Sequence, residues 1–319
     1  MNILFLVVQQ TMFFSIPLLI VALGGVFTER GGVTNIALDG MMIMGAFTSI
    51  LFINKMGNTM SGQTLLIVAI VIAVVTGMIF SLPHCYASIN MKADQIISGT
   101  ALNMFAPAFA IYVARMIQDR GVQQITFLNT FRIQSVPVLG DIPIIGGLFF
   151  RNAYITTYIG IIILVISVIV LYRTRFGLRL RACGEHPHAA DSVGINVYRM
   201  RYAGIIISGA LAGLGGLVFV VPTSTQFNAT VSGYGFLALA VMIFGQWKPL
   251  RVLFAAFFFG LMKTIASAYS VIPFLATSSI PSDIYKMVPF IATLIVLAFS
   301  SKSSQAPKAI AVPYEKGSR

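Results

Sequence analysis

The chain has 319 residues, of which 57% are hydrophobic and only 9% are charged. A soluble globular domain carries roughly 25% charged residues, so this composition excludes an ordinary water-facing surface. The formal net charge of +12 would suggest a nucleic-acid partner in a soluble protein. We expect no nucleic acid here, because an excess of Lys and Arg in the cytoplasmic loops of a membrane protein explains the charge better.

Long apolar runs support this interpretation, and the mean hydropathy of the chain is +0.90. A helix needs about 20 apolar residues to cross a bilayer. No Asp, Glu, Lys or Arg occurs in 56–91, 95–114, 152–172 or 202–247, and the last of these runs is long enough for two crossings. The sequence therefore predicts an all-α, polytopic transmembrane bundle.

We predict about nine spans, within a range of eight to ten, and expect some to be broken by Gly and Pro. Residues 1–301 form one transmembrane domain, and 302–319 form a polar tail that we expect to be partly disordered. The first apolar segment lacks a basic n-region, so we interpret it as a retained helix. The predicted spans are 4–27, 34–54, 62–84, 95–114, 153–172, 202–222, 232–247, 251–271 and 284–300.

Basic residues predict the orientation of these spans. The 173–201 loop holds six arginines, which places it inside. Alternation then puts 28–33, 85–94, 248–251 and the tail inside, so that 14 of the 21 Lys and Arg lie there. The N-terminus is expected outside and the C-terminus in the cytoplasm. The external segment 115–152 should be a structured loop, with a possible short amphipathic helix near Ile111–Gln118.

Two stretches of the chain have similar residue patterns. Residues 22–45 and 211–245 each pair a Gly-rich span with a Met-containing apolar span that ends at Gly. On the predicted topology the two pairs run in opposite directions, as in the inverted repeats of many transporters. Close helix packing, as at Gly209-x-x-x-Gly213, explains such glycines equally well.

The 173–201 loop is long, basic and mixed in charge. Pro187 suits the first turn of a short helix, small Ala189 and Ala190 would admit a close partner, and Gly194 would end the helix. A docking helix for a cytoplasmic partner and an ordinary basic loop at the lipid headgroups remain equal alternatives on composition. The docking candidates are Gly184, Glu185, His186, Pro187, Ala189, Ala190 and Gly194.

Polar residues in the spans are candidates for a pathway or a gate. For Asp39 we favour a structural or gating role over substrate contact, with Asn35 as a helix N-cap. Ser98 and Asn103 would either bond between helices or line a route for an uncharged solute. The same two alternatives hold for Asn228 and Tyr234, which are predicted near the external mouth. His84, His186 and His188 show no metal-binding pattern, so no metal is expected.

Six segments of the chain match the motifs of a known family, and these are 29–42, 93–103, 177–198, 208–216, 244–249 and 306–314. With them the sequence resembles the permeases of ATP-binding-cassette (ABC) importers, in the branch that serves branched-chain amino acids, simple sugars and nucleosides. The likeness covers nearly the whole chain and is greatest to the nucleoside-importing, guanosine or purine type. The family often has Gly-Leu-Glu-Gly where this chain has Ala37-Leu38-Asp39-Gly40.

The resemblance implies a type II importer-like fold in the bacterial plasma membrane, with residues 177–195 as the coupling helix on an ATPase subunit. It also implies a second related permease and an external substrate-binding lipoprotein. ATP and Mg²⁺ would belong to the ATPase, because this chain has no Gly-x-x-x-x-Gly-Lys-Ser/Thr loop and needs no cofactor of its own. The expected substrate is a nucleoside, with simple sugars or branched-chain amino acids as the alternative.

Two other function classes fit less well. An ion-coupled secondary transporter usually carries intramembrane carboxylates or a cation site, whereas only Asp39 lies well within a span here. An intramembrane enzyme needs a nucleophile–base pair or a metal set such as His-Glu-x-x-His, and the sequence has neither.

Overall fold

The computed structural model describes residues 3–60, 62–118, 121–128, 131–137, 140, 142–143, 146–268 and 306–316, together with 284–285, 287–288, 291–292, 294 and 298. Within these residues the chain is a helical bundle with four very short strands. The helices are α1 Ile3–Arg30, α2 Leu38–Met56, α3 Gly62–Cys85, α4 Gln95–Ile117, α5 Ile155–Arg173, α6 Arg175–Glu185, α7 Pro187–Ser192, α8 Val197–Thr223, α9 Tyr234–Phe244 and α10 Pro249–Ala268.

The length and composition of six helices suit a membrane crossing, and these are α1, α3, α4, α5, α8 and α10. The prediction of an all-α, multi-pass bundle is therefore confirmed. Two predicted spans differ from the observed helices. The second begins at Leu38 instead of residue 34, and the seventh has only 11 helical residues. At 1.5 Å per residue α9 is about 16 Å long, too short to cross a bilayer alone.

Helix α8 lies at the centre of the bundle, where glycines let three neighbouring helices approach its backbone. A Cβ added at Gly77 of α3 would lie 2.0 Å from the carbonyl oxygen of Gly209. One added at Gly45 of α2 would lie 2.4 Å from the Cα of Gly213. Side chains larger than hydrogen would force these helices apart, so the Gly-rich pattern reflects close packing.

The two similar stretches, residues 22–45 and 211–245, run in opposite directions through the bundle. Helices α1 and α8 are antiparallel, since Gly24 faces Ser208 while Val21, earlier in α1, faces Gly215. Each helix is followed by a non-helical segment, residues 31–37 and 224–233, and then by α2 or α9. This helix–break–helix arrangement, repeated upside down, is the one expected of an inverted repeat.

Short strands tie the loops together at one end of the bundle. Strand β1 (Ile125–Thr126) pairs with β4 (Gln226–Phe227), and β2 (Ile133–Ser135) pairs with β3 (Arg151–Ala153), both antiparallel. We call this the strand end, and we call the opposite end, which carries α6 and α7, the basic end. No separate helix forms at 111–118, because α4 continues to Ile117.

The C-terminal tail, predicted to be partly disordered, contains a described portion that packs on the bundle. Residues 306–316 form turns that pack on the basic end, with Ala309 and Tyr314 buried. Positions 302–305 and 317–319 lie outside the described residues. The predicted ninth span, 284–300, lies partly outside them as well, and the positions described within it are helical.

Candidate translocation and coupling sites

The non-helical segment 31–37 is held inside the bundle by side chains from other helices. The Asn103 amide of α4 donates to the Ile36 carbonyl oxygen at 2.8 Å and accepts from the Gly40 N–H at 2.7 Å. It thus satisfies one backbone group on each side of the start of α2. Unpaired backbone groups are costly in a bilayer, so Asn103 makes the break in this span tolerable.

Asn35 has a similar role within the segment. Its Oδ1 accepts from the Ala37 N–H at 3.1 Å, and its Nδ2 donates to the Ser208 hydroxyl of α8 at 2.9 Å. The sequence-based assignment of Asn35 as the N-cap of α2 is wrong, because the helix begins later and Ala37 occupies the N-cap position. Asn35 is fully buried and joins the break to α8.

A second polar group fixes the segment nearer the basic end. The buried His84 of α3 has Nε2 3.1 Å from the Thr34 carbonyl oxygen and Nδ1 2.9 Å from the Ser98 hydroxyl. Gln95 accepts from the Thr34 N–H at 2.7 Å. For Ser98 the geometry therefore matches the interhelical hydrogen-bonding alternative.

Asp39 joins the starts of helices α2 and α9. Its Oδ1 accepts from the Gly235 N–H in the first turn of α9 at 2.8 Å. Helix N-termini carry partial positive charge, so a carboxylate between the starts of α2 and α9 is favourable. A Cβ on Gly235 would lie 2.3 Å from the Asp39 Cα, which means that only glycine allows this approach.

The two helices that meet at this point run in opposite directions. Helix α9 ends beside the end of α1, where the Trp247 indole donates to the Glu29 carboxylate at 2.5 Å. Helix α2 ends at the strand end, where Asn54 donates to the Thr126 carbonyl oxygen. We call the contact between their starts, Asp39 with Gly235, the α2–α9 junction.

Tyr234 and Asn228 do not form the predicted external cluster. Tyr234 is 1% exposed, with its ring centroid 4.0 Å from that of Phe219, whereas Asn228 is exposed beside β4. Lys263 of α10 places its ammonium group 5.9 Å from the centre of the Tyr234 ring. Tyr234 is thus part of the packed interior beside the junction, and Asn228 is remote from it.

The predicted coupling segment consists of two helices with a break at His186. Thr174 caps α6 by accepting from the Gly177 N–H, Pro187 is the first residue of α7, and Gly194 follows α7 with a φ of +83°. The expected places of Pro187 and Gly194 are therefore confirmed. The exposed residues of the segment include His186, His188, Ala189, Val193 and Gly194.

Three of the predicted docking residues face inward. Gly184, Pro187 and Ala190 are buried, and a Cβ on Gly184 would lie 2.2 Å from the Arg30 carbonyl oxygen. Small residues in this segment were interpreted as space for an external partner. At Gly184 and Ala190, however, the small residue leaves room for other parts of this chain. Ala189 is the small residue on the outer face.

Glu185 connects α6 to the ends of two other helices. Its carboxylate lies 3.8 Å from the Arg30 guanidinium, which also donates to the Trp247 carbonyl oxygen at 3.2 Å. This link was not predicted, because residues 30, 185 and 247 are far apart in the sequence. It places α6, the end of α1 and the α9–α10 turn in one polar network.

A multi-pass helical bundle whose spans are interrupted around interior polar groups is the architecture expected of a membrane transport protein. The chain belongs to the family of permease components of branched-chain amino acid transport systems, whose family model matches residues 7–297. It is therefore a multi-pass membrane protein and one component of a transport system.

Individual relatives resemble the chain over its full length. It is 42% identical to the guanosine ABC transporter permease protein NupQ of Bacillus subtilis, with 100% of this chain and 99% of that protein covered. It is 39% identical to the nucleoside ABC transporter permease protein NupC of Lactococcus lactis, over 99% and 98%. NupB, a second nucleoside permease of the same Lactococcus strain, is 26% identical over 95% and 84%. No solved structure matches the chain significantly.

Proposed function

We propose that this chain is the membrane-spanning permease of an ATP-driven nucleoside importer in the bacterial plasma membrane. The observation that carries the proposal is the end-to-end similarity to permeases named for guanosine and nucleosides. The family model is named for branched-chain amino acid transport, so the nucleoside substrate rests on these relatives. The chain itself would catalyse no reaction.

The polar groups that hold the 31–37 segment beside the α2–α9 junction include no carboxylate, ammonium or guanidinium group, which suits a nearby pathway for an uncharged solute. They are amides, hydroxyls and an imidazole, from Asn35, Ser98, Asn103, Ser208 and His84. The Asp39 carboxylate is engaged with the Gly235 N–H. A nucleoside is polar and neutral, so such a route would not require a fixed charge to compensate it.

We assign Asp39 to a gate between α2 and α9. The two helices begin at the same level and run in opposite directions, so separating their starts would open the interior between them. Asn35 and Asn103 would hold the unwound segment while this happens. Tyr234 would pack the gate instead of lining the pathway, and Asn228 would lie outside it.

At the basic end, the exposed face of α7 is the proposed contact for a cytoplasmic ATPase. His186, His188, Ala189, Val193 and Gly194 present this face, and Glu185 links it through Arg30 to the α9–α10 turn. The arginines around α6 support a cytoplasmic location by the positive-inside rule. ATP-driven movement of α7 would then bias the gate between two states.

Two further partners complete the proposed system. One is a second permease, supported by the presence of two different nucleoside permeases, NupC and NupB, in one Lactococcus strain. The other is an external lipoprotein that delivers the substrate to the strand end. The permease pair would therefore be a heterodimer. The N-terminus of this chain would lie outside and its C-terminus in the cytoplasm.

Uptake by the assembled complex in proteoliposomes tests the proposal. We expect ATP-dependent uptake of labelled guanosine. Unlabelled purine nucleosides should inhibit this uptake, whereas ribose and leucine should not. Competition by ribose or leucine, but not by purine nucleosides, would instead support a simple sugar or a branched-chain amino acid as the substrate. Uptake driven by an ion gradient without any ATPase would contradict the proposal altogether.

A further inference from the structure

The C-terminal segment 306–316 contacts every element of the basic end that surrounds α7. The Ala309 N–H donates to the Gly184 carbonyl oxygen at 2.9 Å, and the Arg201 guanidinium of α8 donates to the Val312 carbonyl oxygen at 3.1 Å. Gly184 lies in the last turn of α6, where carbonyl groups lack partners within the helix. The segment therefore completes the end of α6 and fastens it to α8.

Tyr314 is the anchor of this segment on α7. It is 4% exposed and packs with Cys183, Ala190 and Val197, which belong to α6, α7 and α8. Its ring centroid lies 5.2 Å from that of His188 and 5.4 Å from that of Tyr198. Ring pairs at such distances stabilise by more than the area that they bury.

The same segment also reaches the connection before α2 and the connection between α3 and α4. A Cβ on Gly32, just before the unwound segment, would lie 3.2 Å from the Ala309 carbonyl oxygen and 3.3 Å from the Gly184 Cα. Glu315 forms an ion pair with Lys92, in the connection between α3 and α4, at 2.5 Å. The C-terminal segment is thus in contact with α7 at one place and with the base of the 31–37 segment at another.

We infer that residues 306–316 form a clamp that seats α7 on the permease, and that Tyr314 is a positioning residue for coupling. Helix α7 has only six residues and cannot hold its own place. A push on its outer face would reach the 31–37 segment through α6, whose Gly184 lies against Gly32, and the clamp holds α7 to α6 and α8 so that the three helices move together. The coupling part of this inference rests on the proposed function, whereas the clamp itself does not.

The buried Cys183 provides a test of the clamp that needs no transport. This thiol is 0% exposed, and burial raises its pKa to about 11. In a Cys85→Ala background we expect Tyr314→Ala to speed maleimide labelling of Cys183 in the purified permease by at least about tenfold, since the local opening becomes easier. Tyr314→Phe, which keeps the ring, and Val312→Ala, which alters an exposed neighbour, should label like the parent.

Nucleoside transported per ATP hydrolysed, measured in the assembled complex, tests the positioning role. Tyr314→Ala should lower this ratio by about fivefold or more while ATP hydrolysis continues, and Tyr314→Phe should restore it. Unchanged labelling of Cys183 would overturn the clamp. Faster labelling with an unchanged transport ratio would overturn the positioning role. If the parent complex moves no nucleoside, the proposed function fails while the labelling result still decides the clamp.

Discussion

At the scale of single residues, the contact between α2 and α9 depends on the absence of a side chain at Gly235. Gly235 lets the α9 backbone lie against the Asp39 backbone, and the carboxylate then accepts from the Gly235 N–H. A hydrogen bond to a charged group contributes about 1.5–3 kcal/mol. The junction therefore depends on glycine at position 235 and on an oxygen acceptor at position 39.

Replacing Asp39 tests this contact directly. Asp39→Ala should destabilise the purified permease by about 2 kcal/mol, because the Gly235 N–H loses its acceptor. Asp39→Asn keeps an oxygen acceptor of the same reach and should stay within about 1 kcal/mol of the parent. The measurement is thermal unfolding in detergent, with Phe236→Ala, an exposed neighbour of Gly235, as the control. Equal stability of the Ala and Asn variants would contradict the junction.

At the scale of secondary-structure elements, α6 and α7 separate residues that the sequence grouped together. Gly184 and Ala190 face the protein, while Ala189 faces outward one position away. A helix turns by about 100° per residue, so the side chains of neighbouring residues lie on different faces of the helix. Small size alone could not distinguish a residue that admits an external partner from one that admits the protein's own backbone.

Bulky replacements on the two faces of α7 should therefore differ. Ala189→Trp should leave the permease as stable as the parent but reduce ATPase association in a pull-down by about tenfold, because the added ring obstructs the docking face. Ala190→Trp should instead lower the thermal stability by about 1–3 kcal/mol through overpacking. Leu128→Trp, at a position 77% exposed near the strand end, is the control for surface bulk. Normal ATPase binding by Ala189→Trp would argue against this docking face.

At the scale of the whole molecule, the basic end and the strand end should lie on opposite sides of the membrane. Val193 and Leu128 are 75% and 77% exposed, and each marks one end. Both native cysteines are buried, so single cysteines introduced at these positions should dominate labelling. In intact cells an impermeant maleimide should label Leu128→Cys and leave Val193→Cys unlabelled until the cells are lysed. The reverse pattern would invert the proposed orientation.

Much of the bundle and several site residues were predictable from sequence. Long apolar runs predicted the membrane helices, because length and hydropathy are local properties of the chain. Polar residues inside those runs identified Asn35, Asp39, Ser98 and Asn103, since a polar group in a bilayer requires a partner. The start of α2 and the short length of α9 were missed, because no charged residue marks either break.

The sequence by itself determined that this protein is an all-α membrane bundle with a basic segment at one end and polar groups within its spans. Only the tertiary structure decided which groups meet. Asn103 caps a helix more than 60 residues away, Gly235 contacts Asp39 across 196 positions, and Tyr314 seats α7 from the far end of the chain. Hydropathy follows from consecutive residues, whereas each of these contacts depends on how separate helices pack together in space.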